Sequence, residues 1–158
     1  QPPDEIFTRL SRQLFRRTPP EKFATVFLAV LDVGSGRIRY ANAGHNPSLV
    51  VRAATKAIER LGPTGPPIGL FPSSVYRAGD VALGPGDLLV LYTDGIVEAV
   101  NPDDEEYSIE RLERACLREG TRPLPEIVRA LEADLAAFVG TVPYPDDRTL
   151  LLARRRIA

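Results

Sequence analysis

The chain of 158 residues contains one cysteine, Cys116, and one histidine, His45. A single cysteine excludes an internal disulfide and any cysteine-rich metal site, and points to a reducing compartment, the cytoplasm. A single histidine cannot build a zinc centre and has no evident triad partner. His45 reads as a loop residue hydrogen-bonded to backbone. An excess of either charge is also lacking: 20 basic and 21 acidic residues leave a formal net charge of −1. Nothing in that balance suggests a nucleic-acid footprint or a polybasic membrane patch. No apolar run approaches the ~20 residues needed to span a bilayer, and no signal peptide opens the chain. Gln1 is not an initiator, so the chain reads as a fragment, a processed product or an engineered form.

What is present is an ordinary globular composition, 44% apolar and 26% charged. The length suits one domain, 1–158, with a sizeable core, and no repeat or boundary interrupts it. Ile6, Leu10, Leu14 and Phe15 form the apolar stripe of a helix over 4–17, with Asp4 as N-cap and Pro19-Pro20 closing it. The nearly continuous apolar run over 23–32 predicts a buried strand. Gly34-Ser35-Gly36 turns it into a half-buried strand over 37–43, making a hairpin. Asp32-Val33-Gly34-Ser35-Gly36 is not a phosphate loop, because no helix follows it. Short strands are expected over 48–51, 57–61 and 75–83, with a proline- and glycine-rich ordered loop over 62–72.

Gly84-Pro85-Gly86-Asp87 then turns into Leu88-Leu89-Val90-Leu91-Tyr92, an apolar run suited to a central strand covered on both faces. The tight turn implies that the strands on either side of it pair antiparallel. The acidic stretch 101–106 lacks the twelve-residue calcium-loop pattern and reads as a solvated loop. Ile109, Leu112, Ala115 and Cys116 share one face of a helix ended by Gly120. Ile127, Leu131, Leu135 and Phe138 stripe a second helix over 123–139. Pro143 and Pro145 force a loop, a short strand covers 149–153, and Arg154-Arg155-Arg156 reads as a solvated tail. Many antiparallel strands, two helices and a returning strand make an α+β layered domain.

Taken alone, Thr93-Asp94-Gly95 reads as a turn, with Gly95 freeing the backbone for a sharp exit. A second feature changes its meaning. Asp94 stands at the end of one buried strand, and Asp146 and Asp147 stand at the start of another. If those strands are antiparallel neighbours, the carboxylates share one rim. Close carboxylates repel unless a cation or proton lies between them. Oxygen-only ligands suit magnesium or manganese.

Four stretches carry a family resemblance. They are Tyr40-Ala41-Asn42-Ala43-Gly44-His45-Asn46-Pro47, Gly65-Pro66-Pro67-Ile68-Gly69-Leu70, Pro85-Gly86-Asp87 through Ala99, and Asp146-Asp147-Arg148-Thr149-Leu150-Leu151. In this order they resemble the metal-dependent PPM-type serine/threonine phosphatases. The branch is that of stage II sporulation protein E and the regulators of sigma-B-type stress pathways. The resemblance implies a layered α-β-β-α sandwich of antiparallel sheets flanked by helices. It implies a pair of manganese or magnesium ions at one edge, with Asp94 and Asp146 as ligands and Asp147 as a further ligand or orienting residue. The substrate it implies is a phosphoserine or phosphothreonine on an anti-anti-sigma-type protein.

Two departures stand out. The family's N-terminal Asp-x-Ser-Gly-x-Gly-like motif, whose aspartate bridges both metals, has no counterpart here. The chain therefore reads as the C-terminal two-thirds of the domain, without its first strands and first helix, and a dinuclear site with ions ~3.5–4 Å apart cannot form from these residues alone. Arg148 also replaces a residue that is commonly small and apolar. Two functions remain open: a metal-dependent protein phosphatase, and a catalytically inactive phosphatase-like module that binds a partner or dimerises through exposed strand edges.

Overall fold

A computed structural model describes residues 1–19, 21–144 and 146–156. Pro20 and Pro145, assigned above to loops, lie outside the described residues. The elements in chain order are α1 (Pro3–Arg17), β1 (Val26–Leu31), β2 (Arg37–Ala43), β3 (Ser48–Val51), β4 (Ile58–Leu61), β5 (Gly79–Ala82), β6 (Leu88–Tyr92), α2 (Asp94–Val97), α3 (Ser108–Glu119), α4 (Leu124–Val139) and β7 (Leu150–Arg154). They form two antiparallel sheets with flanking helices, the α+β class expected from the sequence. No helix among the described residues is long and apolar enough to cross a membrane. The chain divides into two compact units: Gln1–Pro47 with Leu61–Leu83, and Ser48–Arg60 with Gly84–Ala158.

The first unit holds the sheet ordered β1-β2-β5 and helix α1. Proline at the start of α1 has the fixed φ a first turn needs. The N-cap is Pro2 rather than Asp4, which lies in the first turn. The buried stripe is also rotated from the one expected: Pro3, Phe7 and Ser11 face inward, flanked by Ile6 and Leu14, while Leu10 is exposed. Two contacts set that rotation. Phe7 meets Tyr76 edge-on, with ring centroids 5.6 Å apart, and the Ser11 hydroxyl accepts the Gly69 N–H at 3.0 Å. A buried donor needs a partner, so the serine is drawn into the interior.

Strand β1 is only partly buried, against expectation. Val26 and Leu28 pack on the Phe7–Tyr76 cluster, but Val30 and Leu31 are 54% and 44% exposed. β1 is an edge strand whose second half runs beyond that cluster. Apolar composition alone does not decide burial.

The second unit contains the sheet ordered β4-β3-β6-β7, the last residue of β4 belonging to the first unit. β6 lies between β3 and β7, paired Leu49↔Val90 on one side and Val90↔Leu152 on the other. Four of its five residues are buried, as a continuous apolar run requires. Leu88, Val90 and Tyr92 share one core with Leu112 and Cys116 of α3 and Ile127, Leu131 and Leu135 of α4.

The pairing across Gly84-Pro85-Gly86-Asp87 differs from the hairpin expected. β5 pairs with β2 in the three-stranded sheet, and β6 pairs with β3 and β7 in the other. The turn therefore passes the chain from one sheet to the next. The Asp87 carboxylate stabilises it by accepting the N–H groups of Gly84 at 2.9 Å and Ala53 at 2.8 Å, and the Arg52 guanidinium at 2.8 Å. The basic tail is likewise partly structural. Arg154 donates to the carbonyls of Gly120 at 2.6 Å and Arg122 at 2.7 Å, and the Arg155 N–H pairs with the Asp87 carbonyl.

Candidate functional site

The end of β6 and the start of β7 meet as the antiparallel register requires. Tyr92↔Leu150 is the last ladder pair. Beyond it, the Thr93 N–H donates to the Thr149 carbonyl at 3.1 Å. The reciprocal bond comes from a side chain: the Thr149 N–H donates to Thr93 Oγ1 at 2.9 Å. The Thr93 hydroxyl in turn donates to the Asp147 carbonyl at 3.4 Å. One threonine thus clips together the two strand ends where Asp94, Asp146 and Asp147 stand.

Asp94 opens the four-residue helix α2 and is exposed, as are Asp146 and Asp147. Asp94 Oδ1 accepts the Gly95 N–H at 3.0 Å, and Asp146 Oδ1 accepts the Asp147 N–H at 2.7 Å. Those local bonds orient each carboxylate.

Gly95 has a role different from the one read from the sequence. It is helical and absent from the positive-φ glycines, so conformational freedom is not what it supplies. A Cβ at this position would lie 2.5 Å from the Asp147 carbonyl oxygen and 3.3 Å from that of Asp146. Glycine permits the backbone of α2 to touch the 146–147 segment, which puts Asp94 beside it. Tyr92, immediately before the clip, is buried. That burial pushes its phenol up to about 12, so it remains neutral.

Two depressions adjoin the strand ends. One is open and polar, lined by Tyr144, Asp146, Asp147 and Arg148. The other is a cavity of about 530 Å³ whose lining includes Ile96, Leu131, Leu135 and Leu150 as well as Arg148 and Thr149. The Arg148 guanidinium lies 3.4 Å above the Tyr144 ring centroid.

The donors suit a hard divalent cation in kind, since the carboxylates of Asp94, Asp146 and Asp147 and the neighbouring carbonyls are oxygen ligands. They do not suffice in number. Among the described residues, no group of three or more histidine, cysteine, aspartate or glutamate side chains gathers closely enough to hold an ion. His45 lies in the first unit, with its N–H on Asn42 Oδ1 at 2.8 Å and its Nδ1 3.4 Å from Thr25 Oγ1.

The stage II sporulation protein E (SpoIIE) family matches residues 1–156. This chain belongs to the SpoIIE family. Among relatives of this SpoIIE member, protein IcfG of Synechocystis sp. is 32% identical over 135 residues, covering 84% of this chain and 21% of that protein. Phosphoserine phosphatase RsbU of Bacillus subtilis is 25% identical over 157 residues, 98% of this chain and 46% of that protein. The SiaA-PP2C domain of Pseudomonas aeruginosa superposes with a TM-score of 0.83 at 22% identity, covering 97% of this chain and 61% of that one. The fold is therefore that of the PP2C phosphatase domains. The chain spans less than half the length of the two sequence relatives.

Two features of the rim escaped the sequence reading. Thr93 was part of a motif without a role, although the antiparallel register places it opposite Thr149 and so marks it as a strand-end clip. The stacking of Arg148 on Tyr144, four residues earlier, is a tertiary contact with no periodic signature.

Proposed function

We propose that the chain is the C-terminal two-thirds of a single PPM-type phosphatase domain, acting in the cytoplasm. Its activity is hydrolysis of phosphoserine or phosphothreonine on a regulatory protein of the anti-anti-sigma type, within a stress-signalling pathway. The supporting observation is the Thr93 clip, which with Gly95 brings Asp94 against the segment of Asp146 and Asp147. Membership of the SpoIIE family and similarity to the phosphoserine phosphatase RsbU agree with it.

Asp94 and Asp146 are this chain's share of the ligands to two manganese or magnesium ions, and Asp147 completes or orients that share. Bound ions would supply charge stabilisation and lower the pKa of a coordinated water. The remaining ligands come from outside this chain. Thr93 and Gly95 hold the two aspartate-bearing segments in register.

The test uses the full-length protein with manganese and a phosphoserine substrate. Asp94→Asn and Asp146→Asn should each lower turnover by at least about a hundredfold, more than the loss of an outer-shell partner. A chelator should abolish wild-type turnover. Near-normal rates in both variants would end the assignment.

A second reading, a catalytically inactive module that binds a partner or dimerises, is favoured by the edge strand β1. Val30 and Leu31 on it, Phe23 before it and Val33 after it are all exposed, and unpaired apolar edges invite association.

A further inference from the structure

We infer that Arg148 is the specificity-determining residue with which this chain grips the phosphoryl group of its substrate. The inference rests on the phosphatase reading and deepens it. Arg148 lines the polar depression together with Asp146 and Asp147, so it faces the place where a phosphoester would approach the candidate metal ligands. Carboxylates alone repel a phosphate dianion, and a cation at their side offsets that repulsion.

The guanidinium is prepared for the task. It lies 3.4 Å above the Tyr144 ring centroid, and such stacking uses the face of the group while leaving its N–H-bearing edge for an oxyanion. Several other arginines of this unit, though not all, are held by acidic partners: Arg52 by Asp87 and Glu59, Arg60 by Glu110 and Glu113, Arg118 by Glu119 and Asp134. Among the described residues, no carboxylate is within ion-pair distance of Arg148, although it directly follows Asp146 and Asp147. Asp146 Oδ1 accepts the Asp147 N–H instead. The result is an exposed, stacked cation without an acidic partner at the rim of the candidate centre.

The competing explanation is packing. Arg148 also lines the cavity that contains Ile96 and Leu150, and its stem could serve merely to cover apolar surface. Arg148→Met separates the two, because it keeps a long apolar stem and removes the charge.

The experiment uses the full-length protein and has two readouts. The first is manganese-supported hydrolysis of a phosphoserine peptide, with kcat, KM and product inhibition by inorganic phosphate measured separately. The second is equilibrium binding of the same peptide, and of its unphosphorylated form, with a chelator present and no metal. Arg148→Met should raise KM and the phosphate inhibition constant roughly tenfold or more, the loss of a charge-assisted hydrogen bond. Its kcat should change less than about threefold, because the interaction is one of binding. Metal-free preference for the phosphorylated peptide should fall in parallel, and Arg148→Lys should recover part of it as a point charge without the fork. Wild-type KM, inhibition constant and metal-free preference in Arg148→Met would overturn the inference while leaving the phosphatase reading intact. Arg148-dependent peptide binding by a wild-type protein without turnover would overturn the phosphatase reading and retain the phosphoserine site. Neither binding nor turnover in the wild type would overturn both.

Discussion

Gly95 sits where two opposing effects can be compared by size. In an ordinary helix, alanine is favoured over glycine by about 1 kcal/mol. At this position the added methyl would lie 2.5 Å from the Asp147 carbonyl oxygen. The obstacle is backbone, which cannot swing aside as a side chain can, and overpacking of this kind costs about 1–3 kcal/mol. The clash therefore outweighs the gain over most of that range, and Gly95→Ala should destabilise the protein by a net of up to about 2 kcal/mol in urea unfolding. If the proposed phosphatase function holds, it should also reduce turnover by the full-length protein by separating Asp94 from Asp146 and Asp147. An alanine variant more stable than wild type would show that close approach is not the reason for glycine here.

At the scale of elements, the turn before β6 and helix α3 each carry a buried ionisable group. Burial pushes the Asp87 carboxyl up, but the Ala53 N–H, the Arg52 guanidinium and the Gly84 N–H outweigh it and hold the group below its ordinary 3.8. A carboxyl depressed in the folded state stabilises above the unfolded value. That contribution is lost as pH falls below 3.8 and through the folded value. Asp87→Asn should cost about 2 kcal/mol near neutral pH and flatten the acid limb of a stability–pH profile; an unchanged limb would refute this. Cys116 on α3 behaves in the opposite sense. Burial, aided by Glu113, pushes its thiol up to about 12 from an ordinary 9.0. Its stabilising contribution is intact below 9.0 and declines as pH rises above it, while the unfolded thiol ionises. A thiol reagent should label native protein only at the rate of unfolding, and rapid labelling under native conditions would contradict the burial.

For the molecule as a whole, the two proposed functions separate on association. An edge strand with Val30 and Leu31 exposed, flanked by Phe23 and Val33, is a candidate for strand-to-strand pairing. Light scattering across a concentration series should show a dimer if the second reading holds in its dimerising form, and Val30→Lys with Leu31→Glu should return it to monomer. A strict monomer at all concentrations would leave the exposed edge without that role.

The sequence by itself determined the class of fold, because the periods that define helices and the apolar run of β6 are local properties of the chain. It also determined which carboxylates stand at strand ends, since Asp94 follows one apolar run and Asp146 and Asp147 precede another. The tertiary structure decided which strands pair. The turn at Asp87 looked like a hairpin, but its carboxylate binds Ala53 and Arg52, and β5 and β6 enter different sheets. It decided which face of α1 is buried, through the Ser11–Gly69 bond, and that half of β1 is exposed. It also decided why Thr93 and Gly95 accompany Asp94. A side-chain hydroxyl replacing a ladder bond, and a backbone touching a segment more than fifty residues later, are contacts between distant parts of the chain. Periodicity records what a residue does for its neighbours in sequence; only the packed chain shows what it does for its neighbours in space.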